Sequence, residues 1–196
     1  MNDKQYTRNG PGAIIKRFLK DKSFNICIEI GVFEGATSNL IAEHLTVNGK
    51  LICIDPLLDT YITEKLTDDA IEHNKTRWKY FEGQYERFIH NTHEYIDSGK
   101  IELIRETSDK AFEKLTSLTD VDFCYVDGDH RTEAVFNDGN NCLSVCRSGG
   151  HILFDDYTWN AGGEFDCGQG VDMFIDANKE NIDVVHKSTQ VLIKKL

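Results

Sequence analysis

Three residues near the end of the chain decide its topology. The apolar runs 182–186 (IDVVH) and 190–194 (QVLIK) are separated only by Lys187, Ser188 and Thr189. A parallel crossover takes a dozen residues or more, so this pair predicts an antiparallel hairpin. Five earlier runs, 26–30, 51–55, 101–105, 122–126 and 151–155, lack polar alternation, as strands covered on both faces of a parallel sheet do. Helical periodicity falls between them. Leu40, Ile41 and Leu45 form a stripe in 36–46, and Ala111, Phe112, Leu115 and Leu118 form one in 108–118. In 132–147 one face carries Val135, Gly139, Cys142, Leu143 and Cys146, with Gly149-Gly150 as the stop signal. The expectation is an open α/β sheet of seven strands, mostly parallel, with right-handed crossovers. A dinucleotide-binding sheet would instead continue with parallel strands to its end.

The 196 residues suit one domain, 1–196. Residues 1–12 are expected to be a flexible N-terminus, and the charged, aromatic stretch 57–98 a helical insertion near the active-site mouth. With 33 acidic and 22 basic side chains the net charge is −11, which speaks against a nucleic-acid partner. The early basic residues, Lys16 to Lys22 among them, read as a solvated first helix. No apolar run approaches the roughly 18 residues of a membrane span, and the start has no signal-peptide core. Six cysteines without C-x-x-C or paired Cys/His spacing read as free, buried thiols. The cytoplasm is therefore the expected location, and a homo-oligomer is compatible with the sequence.

Ligands of open α/β sheets bind at the carboxyl ends of the strands. The first strand exits as Glu29-Ile30-Gly31-Val32-Phe33-Glu34-Gly35, followed by Thr37 and Ser38. Two glycines allow a tight turn and a close approach of backbone to ligand, and the hydroxyls suit a carboxylate. No Lys-Ser/Thr ending marks a P-loop. Asp55 after the second strand is placed to accept both hydroxyls of a ribose, or else it caps the turn before Pro56. Ser108, after the third strand, can cap a helix and border a base. The fourth and fifth strands exit as YVDGDH and LFDDY, which brings Asp127, Asp155 and Asp156 together if the strands are neighbours. Three converging carboxylates repel unless neutralised, and all-oxygen ligands favour Mg²⁺, Mn²⁺ or Ca²⁺. Asp129 is expected to face solvent. His130 is placed to act as a general base.

These motifs, YVDGDH…SGGHILFDDY above all, resemble class I S-adenosylmethionine-dependent methyltransferases of the metal-dependent O-methyltransferase group. Both the catechol type and the macrolide or aminocoumarin sugar type are similar, over about residues 13–196. The resemblance implies a doubly wound, Rossmann-like sheet and an enzyme using S-adenosylmethionine and Mg²⁺ or another divalent cation. It implies that Glu29, Gly31, Phe33, Gly35, Thr37 and Ser38 border the methionine moiety, Asp55 the ribose and Ser108 the adenine. Asp127, which also faces the cofactor, would hold the metal with Asp155 and Asp156. His130 stands where the family has a basic catalytic residue, with Asp127 as the other proton acceptor. Glu106 departs from the glycine that relatives often carry there. The acceptor would be a small molecule with two adjacent oxygens, such as a vicinal diol, sugar or catechol. A nicotinamide-dependent oxidoreductase or epimerase shares the glycine turn but gives no reason for the aspartates. An inactive binding protein on the same fold would have no need of them.

Overall fold

The computed structural model describes residues 12–57 and 82–196, so most of the expected insertion and the N-terminal segment lie outside the described residues. The elements run α1 (Ala13–Leu19), β1 (Phe24–Ile30), α2 (Ala36–Ala42), β2 (Leu45–Ile54), α3 (Gln84–Asp97), β3 (Ile101–Ile104) and α4 (Ser108–Lys114). They continue with β4 (Val121–Val126), α5 (Thr132–Val145), β5 (Cys146–Phe154), β6 (Asn160–Gly162), β7 (Phe165–Asp166), α6 (Cys167–Asn178), β8 (Ile182–Lys187) and β9 (Val191–Lys195). The main sheet has seven strands in the order β3-β2-β1-β4-β5-β9-β8. β1 to β5 pair in parallel, while β9 is antiparallel to both β5 and β8. The three-residue spacing thus delivers the expected hairpin.

Two apolar layers cover the sheet. One packs Ile28, Ile52, Cys124, Ile152 and Ile193 against α4, α5 and α6. The other packs Cys27, Leu51, Phe123 and Leu153 against α1, α2 and α3. Because successive strand side chains alternate in direction, a continuous apolar run fills both layers at once. The C-terminal part of 57–98 is the crossover between β2 and β3. Phe88, fully buried, belongs to the second layer, and Tyr85, Ile89, Tyr95 and Ile96 pack against it.

Several element ends depart from the pattern reading. α2 stops at Ala42 rather than running to 46, because Leu45 pairs with Phe24 and opens β2. α4 stops at Lys114 rather than 118. Leu115 and Leu118 still reach the core, each through a single turn in a stretch rich in Thr and Ser that competes with helix. α5 ends at Val145, and Cys146 is extended (φ −65°, ψ 135°) and pairs with Val121. Gly149, at φ 75°, therefore punctuates a strand rather than a helix. Helix α6 has no counterpart in the apolar pattern, and Cys167 is its buried first residue. Asp166 caps it by accepting from the Gln169 amide at 2.9 Å, ahead of buried Val171 and Phe174. All six cysteines are free and buried. Among the described residues no helix is long and apolar enough to cross a membrane.

Candidate active site

Backbone hydrogen bonds set the strand exits side by side. The Asp55 amide donates to Ile104, Gly31 to Ile54, Asp127 to Ile30 and Asp155 to Val126, at 2.9 to 3.2 Å. Four loops carrying the predicted residues are thereby brought to one edge of the sheet. Gly31 makes this possible: its φ is 81°, and a Cβ there would lie 2.0 Å from the Asp127 carbonyl oxygen. Only glycine lets the first and fourth exits touch. Gly35, at φ 79°, similarly admits the Thr92 methyl of α3.

On the β1–β2 side the acids are already engaged. Asp55 Oδ2 accepts from the amides of Val32 (2.9 Å) and Phe33 (3.3 Å), and Oδ1 accepts from Leu57 (2.8 Å). Asp55 is a loop clamp as well as a candidate ribose acceptor. Burial lifts its carboxyl above the usual range while the three amides hold it down. Glu29 is fully buried and accepts from Ser38 Oγ at 2.5 Å and from Cys53 Sγ at 3.6 Å. Its Oε1 has no partner among the described residues. Burial raises the Glu29 pKa to about 8. Glu34, which sequence reasoning did not single out, is 2% exposed and pairs with Arg87 Nε at 2.5 Å. Its carbonyl accepts from Asn91 Nδ2 at 2.8 Å. Only its place between Gly31 and Gly35 hinted at a role. Thr37 lies with Ser38 in the first turn of α2.

Ser108 is the first residue of α4 rather than its cap, which is Thr107. Ser108 lies near Asp138 of α5, a buried acid whose pKa burial raises to about 7 against the lowering effect of Ser108. Nothing in the spacing signalled that acid, which sits on the inner face of a helix.

On the β4–β5 side the acids crowd one another. Asp127, His130 and Asp156 bring one ligand atom each within 4.8 Å of one another. Asp155 sits beside them rather than among them. Its Oδ2 accepts from the buried Tyr125 hydroxyl and its Oδ1 from the Asp156 amide at 2.7 Å. Burial, then the charges of Asp155 and Asp156, push the Asp127 carboxyl well above its usual range. Asp156 adopts φ 50°, a strained value for a residue with a side chain. His130 Nε2 meets Asp156 Oδ2 at 2.9 Å, and Nδ1 meets the Gly128 carbonyl at 2.9 Å. Both ring nitrogens face acceptors, so the imidazolium form is favoured. The Asp156 bond raises the His130 pKa against the opposing effect of burial. Asp129 is exposed and pairs with Arg131, as a solvent-facing acid does.

A parallel sheet with a reversed seventh strand, an acid after β2 and an acid cluster after β4 and β5 define a class I methyltransferase fold. Residues 28–157 match the family described as Methyltransferase domain, and the chain belongs to it. Solved structures agree on the fold. The O-methyltransferase TomG of Streptomyces achromogenes, involved in tomaymycin synthesis and solved with S-adenosylmethionine, superposes with TM-score 0.66 at 15% identity, covering 95% of this chain and 81% of that one. An O-methyltransferase of Bacillus cereus in complex with S-adenosylhomocysteine gives TM-score 0.62 at 13% identity, covering 97% and 84%. In sequence the chain is 31% identical over 133 residues to "Uncharacterized protein R132" of Acanthamoeba polyphaga mimivirus, covering 66% of this chain. It spans about half the length of that relative, 50%.

Proposed function

We propose that this protein transfers a methyl group from S-adenosylmethionine to a hydroxyl of a small, uncharged molecule, with a divalent cation at the acceptor oxygen. The observation that carries the reading is the cluster of Asp127, His130 and Asp156 one strand away from the Gly31 turn. A nicotinamide-dependent reading finds no support in the family match. The −11 charge disfavours a nucleic-acid acceptor.

Glu29, Gly31, Phe33, Gly35, Thr37, Ser38, Asp55, Ser108 and Asp127 would line the cofactor. Its sulfonium carbon supplies the methyl: a C–O bond forms as the C–S bond breaks, leaving S-adenosylhomocysteine. The donor set fits a cation as well. Asp127 and Asp156 with Asp155 would hold Mg²⁺, and the repulsion that adds to burial in lifting the Asp127 pKa is what a cation relieves. Bound there, the ion would acidify and position the acceptor hydroxyl. While Asp156 holds it, His130 Nε2 carries its own proton and the base is masked. With Asp156 turned to the cation, the ring would give that Nε2 proton to solvent, and the neutral Nε2 would then accept the hydroxyl proton. The Gly128 carbonyl keeps the ring oriented through Nδ1.

Calorimetric titration with S-adenosylhomocysteine and Mg²⁺, followed by an acceptor panel, tests the reading. Asp55→Ala should weaken cofactor binding by about 1.5–3 kcal/mol. His130→Ala should keep cofactor and cation affinity and lose about 10²–10⁴-fold in turnover at neutral pH, less at high pH. Activity that survives exhaustive chelation removes the cation from the scheme.

A further inference from the structure

Arg105, the residue after β3, joins two parts of the molecule that border the site. Its Nη2 donates to the Leu57 carbonyl at 3.3 Å, in the exit from β2. Its guanidinium carbon stands 4.1 Å from the centroid of the Tyr85 ring, in the first turn of α3. The β2 and β3 exits are adjacent here, because the Ile104 carbonyl accepts from the Asp55 amide at 3.2 Å. Leu57 is fully buried and sits at φ 48°. A residue with a side chain keeps such a left-handed value only where its surroundings hold it. In that conformation the Leu57 amide donates to Asp55 Oδ1 at 2.8 Å. A guanidinium laid flat on an aromatic ring is a preorganised donor. Arg105 thus pins the strained residue whose amide aims the Asp55 carboxylate.

The same guanidinium acts on the charge of Asp55. Burial has the largest effect on that carboxyl and raises it, while the amides of Leu57, Val32 and Phe33 and the charge of Arg105 lower it. Glu29 of β1 and Asp127 after β4 are the acids that feel Asp55, and neither welcomes a negative charge beside it. Arg105 supplies the opposite sign. An ionised acceptor makes hydrogen bonds about twice as strong as a neutral one, so the carboxylate form of Asp55 is the better partner for a ribose hydroxyl. We infer that Arg105 is a positioning residue for the cofactor: through Leu57 and through its own charge it presents Asp55 as the acceptor of a ribose hydroxyl. This rests on the methyltransferase reading above.

Calorimetric binding of S-adenosylhomocysteine and of its 2′,3′-dideoxy analogue, in low salt, separates this role from simple bracing of the loop. The wild-type protein should prefer the parent compound by about tenfold or more at pH 7. Arg105→Ala should cut that preference to about twofold while binding the dideoxy analogue as the wild type does. Two further variants divide the role, and they carry the test if Arg105→Ala fails to fold. Arg105→Gln keeps a donor for the Leu57 carbonyl without the charge, so Asp55 holds its proton longer and the acid limb of S-adenosylhomocysteine binding should move to higher pH. Arg105→Lys keeps the charge without the flat stack and should leave that limb in place. A loss shared equally by both compounds in Arg105→Ala, or an acid limb that stays put in Arg105→Gln, marks a mere brace and overturns the inference. A wild-type protein that binds both compounds equally also removes the inference alone. Failure of S-adenosylhomocysteine to bind the wild type removes the methyltransferase reading, and the inference with it.

Discussion

The two halves of the site, built from the same kind of loop, are in opposite electrostatic states. At the β1–β2 exits every acid has been given partners by the fold. Asp55 accepts from three backbone amides, Glu34 is closed in an ion pair with Arg87, and Glu29 accepts from Ser38. At the β4–β5 exits Asp127 is buried beside two other carboxylates: burial, then the charges of Asp155 and Asp156, push it up, and Asp156 recruits an imidazolium to balance itself. The first half is preorganised, so a ligand meets donors and acceptors already in place. The second stores repulsion that only a proton or a cation relieves. Under the proposed function, such a site would separate rigid recognition of the cofactor from chemistry that a bound cation switches on.

The comparison can be broken where the halves touch. Gly31→Ala forces a methyl to within 2.0 Å of the Asp127 carbonyl at a positive φ, and should cost about 4 kcal/mol of stability in urea denaturation. A loss under about 1 kcal/mol would mean that the two exits are not rigidly joined. Next in size is Arg87→Ala, which removes the guanidinium from the buried Glu34 carboxylate and should cost about 3 kcal/mol. Arg87→Lys should recover part of this, and cofactor affinity should fall in step with the loop's disorder. If Arg87→Ala unfolds no more easily than wild type, the preorganised half is not held from α3.

Glu29 sharpens the contrast through pH. Its unfolded carboxyl ionises above about 4.5, whereas the folded one holds its proton to about 8. The unfolded state therefore binds fewer protons in that window, and stability falls as pH rises through it. Glu29→Gln keeps an acceptor for Ser38 and should stabilise the apoprotein by about 1–2 kcal/mol at pH 8, a gain that vanishes toward pH 4. Melting curves across that range check the slope. The smallest effect belongs to the frustrated half. Without cations Asp127→Asn should stabilise by about 1 kcal/mol, because it removes a buried acid beside two others, and under the proposed cation site it should abolish the stabilisation expected from Mg²⁺. Melts with and without chelator distinguish the two. A destabilised Asp127→Asn would show that the acid is satisfied rather than strained.

The seven main strands, the parallel sense of the first five and the terminal hairpin were legible because apolar runs and a three-residue gap are local facts that sterics convert directly into topology, whereas the strand order emerged only from the fold. The site's acids were legible for a related reason: a strand fixes where its last residue emerges. Element ends were less so. Leu45 and Cys146 satisfy a helical stripe as well as a strand, and pairing with Phe24 and Val121 decided between them. What the sequence could not contain is which side chains meet across separate loops. It placed Asp127, Asp155 and Asp156 at neighbouring strand exits, and only the fold shows that Asp155 also accepts from Tyr125 and that His130 joins Asp127 and Asp156. It offered Ser108 as a cap, and the fold makes Thr107 the cap and sets Ser108 near the buried Asp138. It left Glu34 unremarked, and α3, fifty residues later, supplies Arg87. Covalent order sets the direction and exit of each strand. Contact across loops depends on distances of a few ångströms, which only the assembled sheet, and the missing side chain of Gly31, determine.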